Sequence, residues 1–210
     1  MKIAVIGSGN IGSTAARLFL EADHDVVIAN RRGPDSLAPL VVELGPRASA
    51  AEVEDAARAS ELALLAIPFG AYGELPVPAF AGKLVIDANN YYPERDGHIP
   101  ELDLGVTTST ELTARHLAEA TVVKSFNTMY YRTLASAGDP TKPEEERLAL
   151  CLASDDDEAA RIVSSLISAI GFAPLLTGTL VDGGRLQQPD GALYNIDLTP
   201  SQARELLAAR

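Results

Sequence analysis

The sequence predicts one parallel α/β sheet flanked by helices, and three observations carry that expectation. Short β-branched apolar runs recur along the chain, helical apolar spacing fills the gaps between them, and a glycine cluster joins the first run to the first helix. Strands that alternate with helices in this rhythm pair in parallel through right-handed crossovers.

Residues 2–6 are apolar after Lys2 and read as a buried strand, which Gly7 breaks. Over residues 11–22, Ile11, Ala15, Leu18 and Ala22 share one helical face. Residues 24–29, His-Asp-Val-Val-Ile-Ala, form the second strand, and a helix starts near Pro34 with Asp35 and Ser36 in its first turn. A strand at 48–51 leads into a helix at 52–59, and strands follow at 62–67 and 84–87. Residues 89–104, polar and aromatic with two prolines, read as a loop. Thr108-Ser109-Thr110 followed by Glu111 resembles a helix start, and that helix runs to about Ala118.

Strands come next at 121–125 and 148–153. A long helix over 157–170, capped by Ser154 or Asp155 and closed by Gly171, precedes a last strand at 172–176. The Gly/Pro/Gln-rich segment 178–191 reads as a loop folding back over the sheet, and Ser201 starts a final helix. Residues 1–177 thus form one nucleotide-binding domain, with 178–210 packing on it rather than folding alone.

Composition narrows the function classes. A chain of 210 residues, 47% apolar and 22% charged, can bury one substantial core. No apolar run approaches the roughly 18 residues that cross a bilayer, and the apolar start leads straight into glycines rather than a secretory leader. The single Cys151 has no partner for an internal disulfide. A cytoplasmic protein without a membrane partner is expected. The net charge of −12 repels phosphate backbones, so nucleic acid is excluded as a partner.

The chemistry is concentrated in two places. Gly7-Ser8-Gly9-Asn10-Ile11-Gly12 fits G-x-G-x-x-G directly between a strand and a helix, the context in which that pattern has a mechanism. Gly7 permits the tight turn, Gly9 lets backbone approach a pyrophosphate, and Gly12 lets the helix pack on the strand. A dinucleotide-binding Rossmann arrangement follows, its phosphates at the helix N-terminus. About 20 residues past the glycines, an NAD site carries an acid for the ribose 2′-hydroxyl. This chain has Asn30, then Arg31 and Arg32. Guanidinium groups grip a 2′-phosphate that a carboxylate would repel, so the cofactor is NADP(H).

These residues, together with Ala66-Ile67-Pro68-Phe69, the 124–128 segment Lys-Ser-Phe-Asn-Thr, Asp155-Asp156-Asp157 and Thr177-Gly178, carry a resemblance. The chain is similar to the NADP-dependent oxidoreductases of the coenzyme F420 type, the NADPH:8-hydroxy-5-deazaflavin oxidoreductases. Cytoplasmic NADPH-binding domains of membrane metalloreductases are more distant relatives. The resemblance implies that Ile67, Pro68 and Phe69 line the nicotinamide side, and the fold independently puts Ile67, Pro68, Asn89, Asn90 and Asn127 beyond strand carboxyl ends. Asn127 either hydrogen-bonds the carboxamide or the incoming ring, or satisfies a loop backbone. Two departures border the second-substrate pocket: Asn127 stands where archaeal members carry histidine, and residues 184–189 are more polar than theirs.

No acid–base residue stands out. His24 and His116 read as surface or packing residues, His98 as an exposed loop residue, and no spacing suits a metal. Hydride transfer between two rings is the cofactors' own chemistry, so no catalytic side chain is expected. The function read from the sequence is hydride exchange between NADP(H) and a flavin-like or deazaflavin (F420) ring, a small-molecule second substrate, by a homodimer. Two alternatives stay open. One is an NADPH-dependent reductase of a small imine or carbonyl, with Tyr91, Tyr92, Tyr130, Tyr131 or His98 giving the proton. The other is a non-catalytic NADPH sensor. Lys124, Arg132 and Arg185 are the cations available to an anionic substrate, Arg185 otherwise bridging the tail by a salt link.

Overall fold

The computed structural model describes residues 1–209. In chain order its elements are β1 (Lys2–Ile6), α1 (Asn10–Glu21), β2 (Asp25–Ala29), α2 (Ala38–Leu44), β3 (Ala48–Ala50), α3 (Val53–Arg58) and β4 (Leu62–Leu65). Then come α4 (Val77–Phe80), β5 (Leu84–Asp87), α5 (Pro93–Asp96), α6 (Pro100–Asp103), α7 (Ser109–His116), β6 (Thr121–Ser125) and α8 (Tyr131–Ser136). The chain finishes with β7 (Ala149–Ser154), α9 (Asp157–Ala169), β8 (Ala173–Leu176), α10 (Asp182–Gln187) and α11 (Pro200–Ala208). Short 3₁₀ turns occupy Pro34–Leu37, Phe69–Glu74 and Glu144–Glu146.

The strands make one sheet in the order β3-β2-β1-β4-β5-β6-β7-β8. Order reverses between β1 and β4, so their carboxyl ends open a crevice there. Strand periodicity sorts the core into two layers. Ile3, Val5, Val26, Ile28, Leu62 and Leu64 face α1 and α9, packing with Phe19, Val163 and Ile167. Ala4, Ile6, Val27, Ala29, Ala63 and Leu65 face the other way, against Ala56 of α3, Phe80 of α4 and Leu117. Runs buried on both faces are what a central parallel strand requires. The tail adds a smaller cluster, in which Leu193 and Ala203 cover Ala149, Cys151 and Leu175. Among the described residues no helix is long and apolar enough to cross a membrane.

The expected Rossmann-type sheet is present, with a difference in direction. β1 to β6 run parallel, but β6 pairs β7 antiparallel, Val123 opposite Ser154, and β8 then follows β7. Apolar runs read alike in either direction, and the segment joining β6 to β7 holds only the short α8 and the 3₁₀ turn at Glu144–Glu146. The expected loop at 89–104 holds α5 and α6, each with proline at its first helical turn. The segment 178–191 likewise contains α10 rather than loop alone.

Two caps also differ. Asp156, not Ser154 or Asp155, caps α9, its carboxylate accepting from Ala159 N at 2.8 Å. Asp155 instead accepts from Leu180 N at 2.9 Å and ties the tail to β7. Thr199, not Ser201, caps α11 in a capping box with Gln202, with Pro200 in the first turn. The box expected at Thr108 and Glu111 is formed as anticipated.

Candidate active site

The glycine loop shows three different uses of a missing side chain. Gly7 sits at φ +115, and a Cβ there would lie 2.1 Å from the Ala66 carbonyl oxygen. A Cβ on Gly12 would lie 2.0 Å from the Gly7 carbonyl oxygen, so α1 packs on β1 only because both are glycine. Gly9 meets nothing within 4 Å; its missing side chain leaves open space above the loop. It is also the N-cap of α1, where no side chain caps the helix and no acid sits in the first turn. The helix therefore presents an uncompensated positive end to that space.

Two chambers meet over this loop, sharing Gly9, Ala66, Ile67, Pro68 and Arg95 in their walls. One, of about 600 Å³, lies toward β2 and takes Ser8, Asn30 and Arg31 into its wall. The other, of about 450 Å³, lies toward β5 and β6 and is walled by Asn10, Ile11, Asn89, Asn90, Asn127 and four tyrosines. Both volumes suit a nucleotide half or a ring system.

At the tip of β2, Asn30 is spent internally. Its Nδ2 donates to Ser8 Oγ at 3.0 Å and Ser36 Oγ at 3.2 Å, while its Oδ1 accepts from Arg32 N at 2.8 Å. This brace holds the turn in which Arg31 enters the chamber wall. The expected pair of arginines thus separates: both are exposed, but Arg31 lines the chamber and Arg32 does not.

Across the crest, Asn89 and Asn127 are buried side by side with Asn90. Asn89 Oδ1 accepts from Ile67 N at 2.8 Å, linking the ends of β4 and β5. Asn127 Nδ2 donates to the Gln187 carbonyl at 2.6 Å and to Asn90 Oδ1 at 3.0 Å; Asn90 Nδ2 returns a bond to the Asn127 carbonyl at 2.9 Å. Phe126, immediately before, holds a left-handed φ of +62, an uncommon state for an aromatic residue. Behind them Lys124 is wholly buried, donating to the Asn89 carbonyl and lying 3.9 Å from Asp87 Oδ2. Burial pulls the lysine below its usual pKa, against the opposing pull of Asp87.

Several expected residues sit elsewhere. Phe69 is fully buried in neither chamber wall, stacked on Tyr72 at 4.7 Å. Large apolar rings after a strand read alike whether they face ligand or core. Lys124, Arg132 and Arg185 line neither chamber. Arg132 lies beside Tyr131, its Nε donating to the hydroxyl at 3.2 Å. Arg185 lies over Gly105 and makes no ion pair among the described residues, so neither reading of it is met. His98 pairs with Asp103 at 2.9 Å on an exposed loop, and His116 meets the Leu75 carbonyl at 3.1 Å. Tyr91 braces that same loop, its hydroxyl 2.6 Å from Asp103 and accepting from Ile99 N at 2.9 Å.

The cation that does reach both chambers is Arg95, which sequence reasoning passed over. It stacks over the Tyr92 ring at 4.9 Å and is anchored to Asp96 at 2.8 Å and the Asn90 carbonyl at 2.6 Å. Burial raises the Asp96 pKa, but hydrogen bonds from Arg95, Tyr92 N and Gly70 N outweigh it and hold the carboxyl below its usual range. Tyr194 was missed as well. Its hydroxyl is hydrogen-bonded to that of Tyr92, which bridges the tail to the β5 loop, and burial with that contact pushes its pKa up. The only signal for it was an apolar patch, Ala192-Leu193-Tyr194, inside a looser tail.

Residues 2–91 match the family described as NADP oxidoreductase, coenzyme F420-dependent. Among solved structures, the hypothetical protein SMa0349 from Sinorhizobium meliloti is 33% identical, each chain covering 95% of the other with a TM-score of 0.82. A candidate F420-dependent NADP-reductase from Arthrobacter sp. FB24 is 24% identical, with 95% of this chain and 99% of that one covered at a TM-score of 0.73. That likeness shows the fold. The rat metalloreductase STEAP3 is 26% identical over 188 residues, 89% of this chain, which spans 36% of the metalloreductase. The glycine loop, Arg31 and the Ala66–Pro68 segment fall inside the matched stretch, which is similar to the NADP oxidoreductase family described as coenzyme F420-dependent, and over nearly its whole length the chain belongs to one family with SMa0349.

Proposed function

We propose that the protein binds NADP(H) across the two chambers and passes a hydride between it and a flavin-like or 8-hydroxy-5-deazaflavin ring. The observation that carries the reading is the pairing of an empty space above Gly9 with Arg31 in the adjoining wall. The pyrophosphate suits the free end of α1. Asn30 is already saturated, which leaves Arg31 as the group for a 2′-phosphate, with Arg32 beside it in the chain. Ile67 and Pro68 form the crest over which the dinucleotide passes to the second chamber.

When bound, the cofactor supplies the hydride and the protein supplies position. Tyr92, Tyr130, Tyr131 and Tyr194 give the second chamber flat, amphipathic walls suited to a planar partner. Arg95 lies at the boundary, held rigid by Asp96. Hydride exchange between two rings needs no side-chain acid, in keeping with a chamber that holds no histidine or carboxylate in its wall.

Stopped-flow absorbance at the NADPH band, with flavins and 8-hydroxy-5-deazaflavin as acceptors, tests this reading. Oxidation well above background with at least one ring is expected; no acceptor-dependent oxidation overturns it. One observation favours a second reading, reduction of a small imine or carbonyl: the hydrogen-bonded Tyr92–Tyr194 hydroxyls are a proton source on the chamber wall. That reading requires turnover of such compounds and its collapse in Tyr194→Phe.

A further inference from the structure

Two side chains in the second chamber are each fixed in orientation and each left with one buried, unpartnered atom. Amide groups of asparagine can be turned end for end, but here backbone groups decide the matter. Asn89 receives the Ile67 N–H, which only an oxygen accepts, so its Nδ2 is the free atom. Asn127 faces the Gln187 carbonyl, to which only a nitrogen donates, so its Oδ1 is the free atom. Both residues are at least nine-tenths buried, 2% and 4% exposed, and both belong to the chamber wall. Buried polar atoms without partners are uncommon in folded proteins, and here one wall carries one such donor and one such acceptor.

We propose that Asn89 Nδ2 and Asn127 Oδ1 together read a primary carboxamide, that of the nicotinamide, and that the Asp87–Lys124 pair positions Asn89 for this task. The inference rests on the cofactor reading above. A primary carboxamide offers one acceptor oxygen and a donor NH₂, the complement of this pair. A carboxylate turns an acceptor toward Asn127 Oδ1, and a methyl ketone leaves that atom unsatisfied. The asymmetry therefore selects the amide and fixes which way round it sits.

The support behind the pair is specific. Asp87 Oδ1 accepts from Asn89 N at 3.0 Å, and Lys124 donates to the Asn89 carbonyl, so both backbone polar groups of Asn89 are pinned by a buried charged side chain. Asn127, itself in the wall, follows the left-handed Phe126 in the chain. Lys124 is a positioning residue: it has no exposure to the chamber.

The test uses three probes measured by titration calorimetry on the full chain: NADPH, its 3-acetylpyridine analogue (NH₂ replaced by CH₃) and 2′,5′-ADP, which lacks the pyridine half. Wild type should bind NADPH about tenfold more tightly than the analogue, the size of one lost buried hydrogen bond. In Asn127→Ala that ratio should fall close to one, with 2′,5′-ADP affinity unchanged. Lys124→Met should weaken NADPH several-fold and leave 2′,5′-ADP unchanged, whereas a purely structural lysine would shift both together. Equal wild-type affinity for NADPH and the analogue, with 2′,5′-ADP binding normally, overturns this inference and leaves the cofactor reading standing. Failure of NADPH and 2′,5′-ADP alike to bind overturns both. Should Asn127→Ala not fold, the wild-type ratio alone decides.

Discussion

The two chambers on either side of the Ala66–Pro68 crest are assembled in opposite ways. The β2-side chamber takes its recognition groups from one continuous strand–turn–helix–strand unit, with Gly7, Ser8, Gly9, Asn30 and Arg31 all inside it. The β5-side chamber draws on the glycine loop, the β5 loop, the segment after β6 and the tail, as far apart in sequence as Asn10 and Tyr194. In the first, local backbone geometry would be the recognition device under the proposed function. In the second, recognition is a product of packing, and its polar atoms are held by partners remote in the chain. Substitutions should therefore separate fold from binding sharply on one side and mix them on the other.

The largest effect is expected from the glycines. Gly12→Ala puts a Cβ 2.0 Å from a backbone oxygen and should destabilise the fold by at least about 1–3 kcal/mol, the cost of overpacking. Gly9→Ala has open space and an ordinary φ of −76, so its melting temperature should hold or rise slightly. Its NADPH affinity should nonetheless fall at least about tenfold, because the new methyl occupies the approach to α1. Parallel thermal melts and cofactor titrations of the two variants check this; equal stability losses would erase the distinction.

Next in size is Asp96, which lines the β2-side chamber and anchors Arg95 at the boundary of both. Asp96→Asn should lose charge-assisted bonds worth about 1.5–3 kcal/mol at neutral pH, less what solvent screens at the half-exposed Arg95. Because the folded carboxyl titrates below its ordinary 3.8, its contribution is present above that value and is lost as pH falls through the lower folded pKa. Urea unfolding of wild type and variant should converge as pH falls through that lowered value. A gap that persists unchanged in acid would show that the ionised carboxylate is not the source.

The smallest effect is predicted for Tyr194→Phe. It removes one hydroxyl contact across the chamber mouth, worth about 0.5–1.5 kcal/mol of stability. Under the ring-to-ring reading, NADPH oxidation by flavins should survive it nearly intact. A large loss of turnover would transfer weight to the imine or carbonyl reading.

The same contrast explains what could be read from residues alone. Periodicity located β1, β5 and β6 to the residue and most other strands within one or two, since a run buried on both faces needs no partner to be recognised. The turn from Gly7 to Gly12 and the place of Arg31 at the tip of β2 were legible because that geometry is local. Strand direction was not: whether Ala149–Ser154 runs with or against β6 depends on the path between them, and the hydrophobic pattern is blind to it. Asp156 and Thr199 displaced their neighbours as caps because several capping residues stand together, and one residue of register decides which side chain faces the helix. Phe69, Lys124 and Arg185 show the remaining limit. Their types suit a site, yet their placement against Tyr72, Asp87 and Gly105 is a tertiary fact.

The central claim is that Arg31 distinguishes the phosphorylated nucleotide. Calorimetric titration of wild type and Arg31→Ala with NADPH and NADH measures it directly. The account predicts that wild type prefers NADPH and that the variant loses about 1.5–3 kcal/mol for NADPH, roughly 10- to 150-fold in affinity, while NADH binding is nearly unchanged. Equal losses for the two nucleotides, or a wild type indifferent between them, would contradict it.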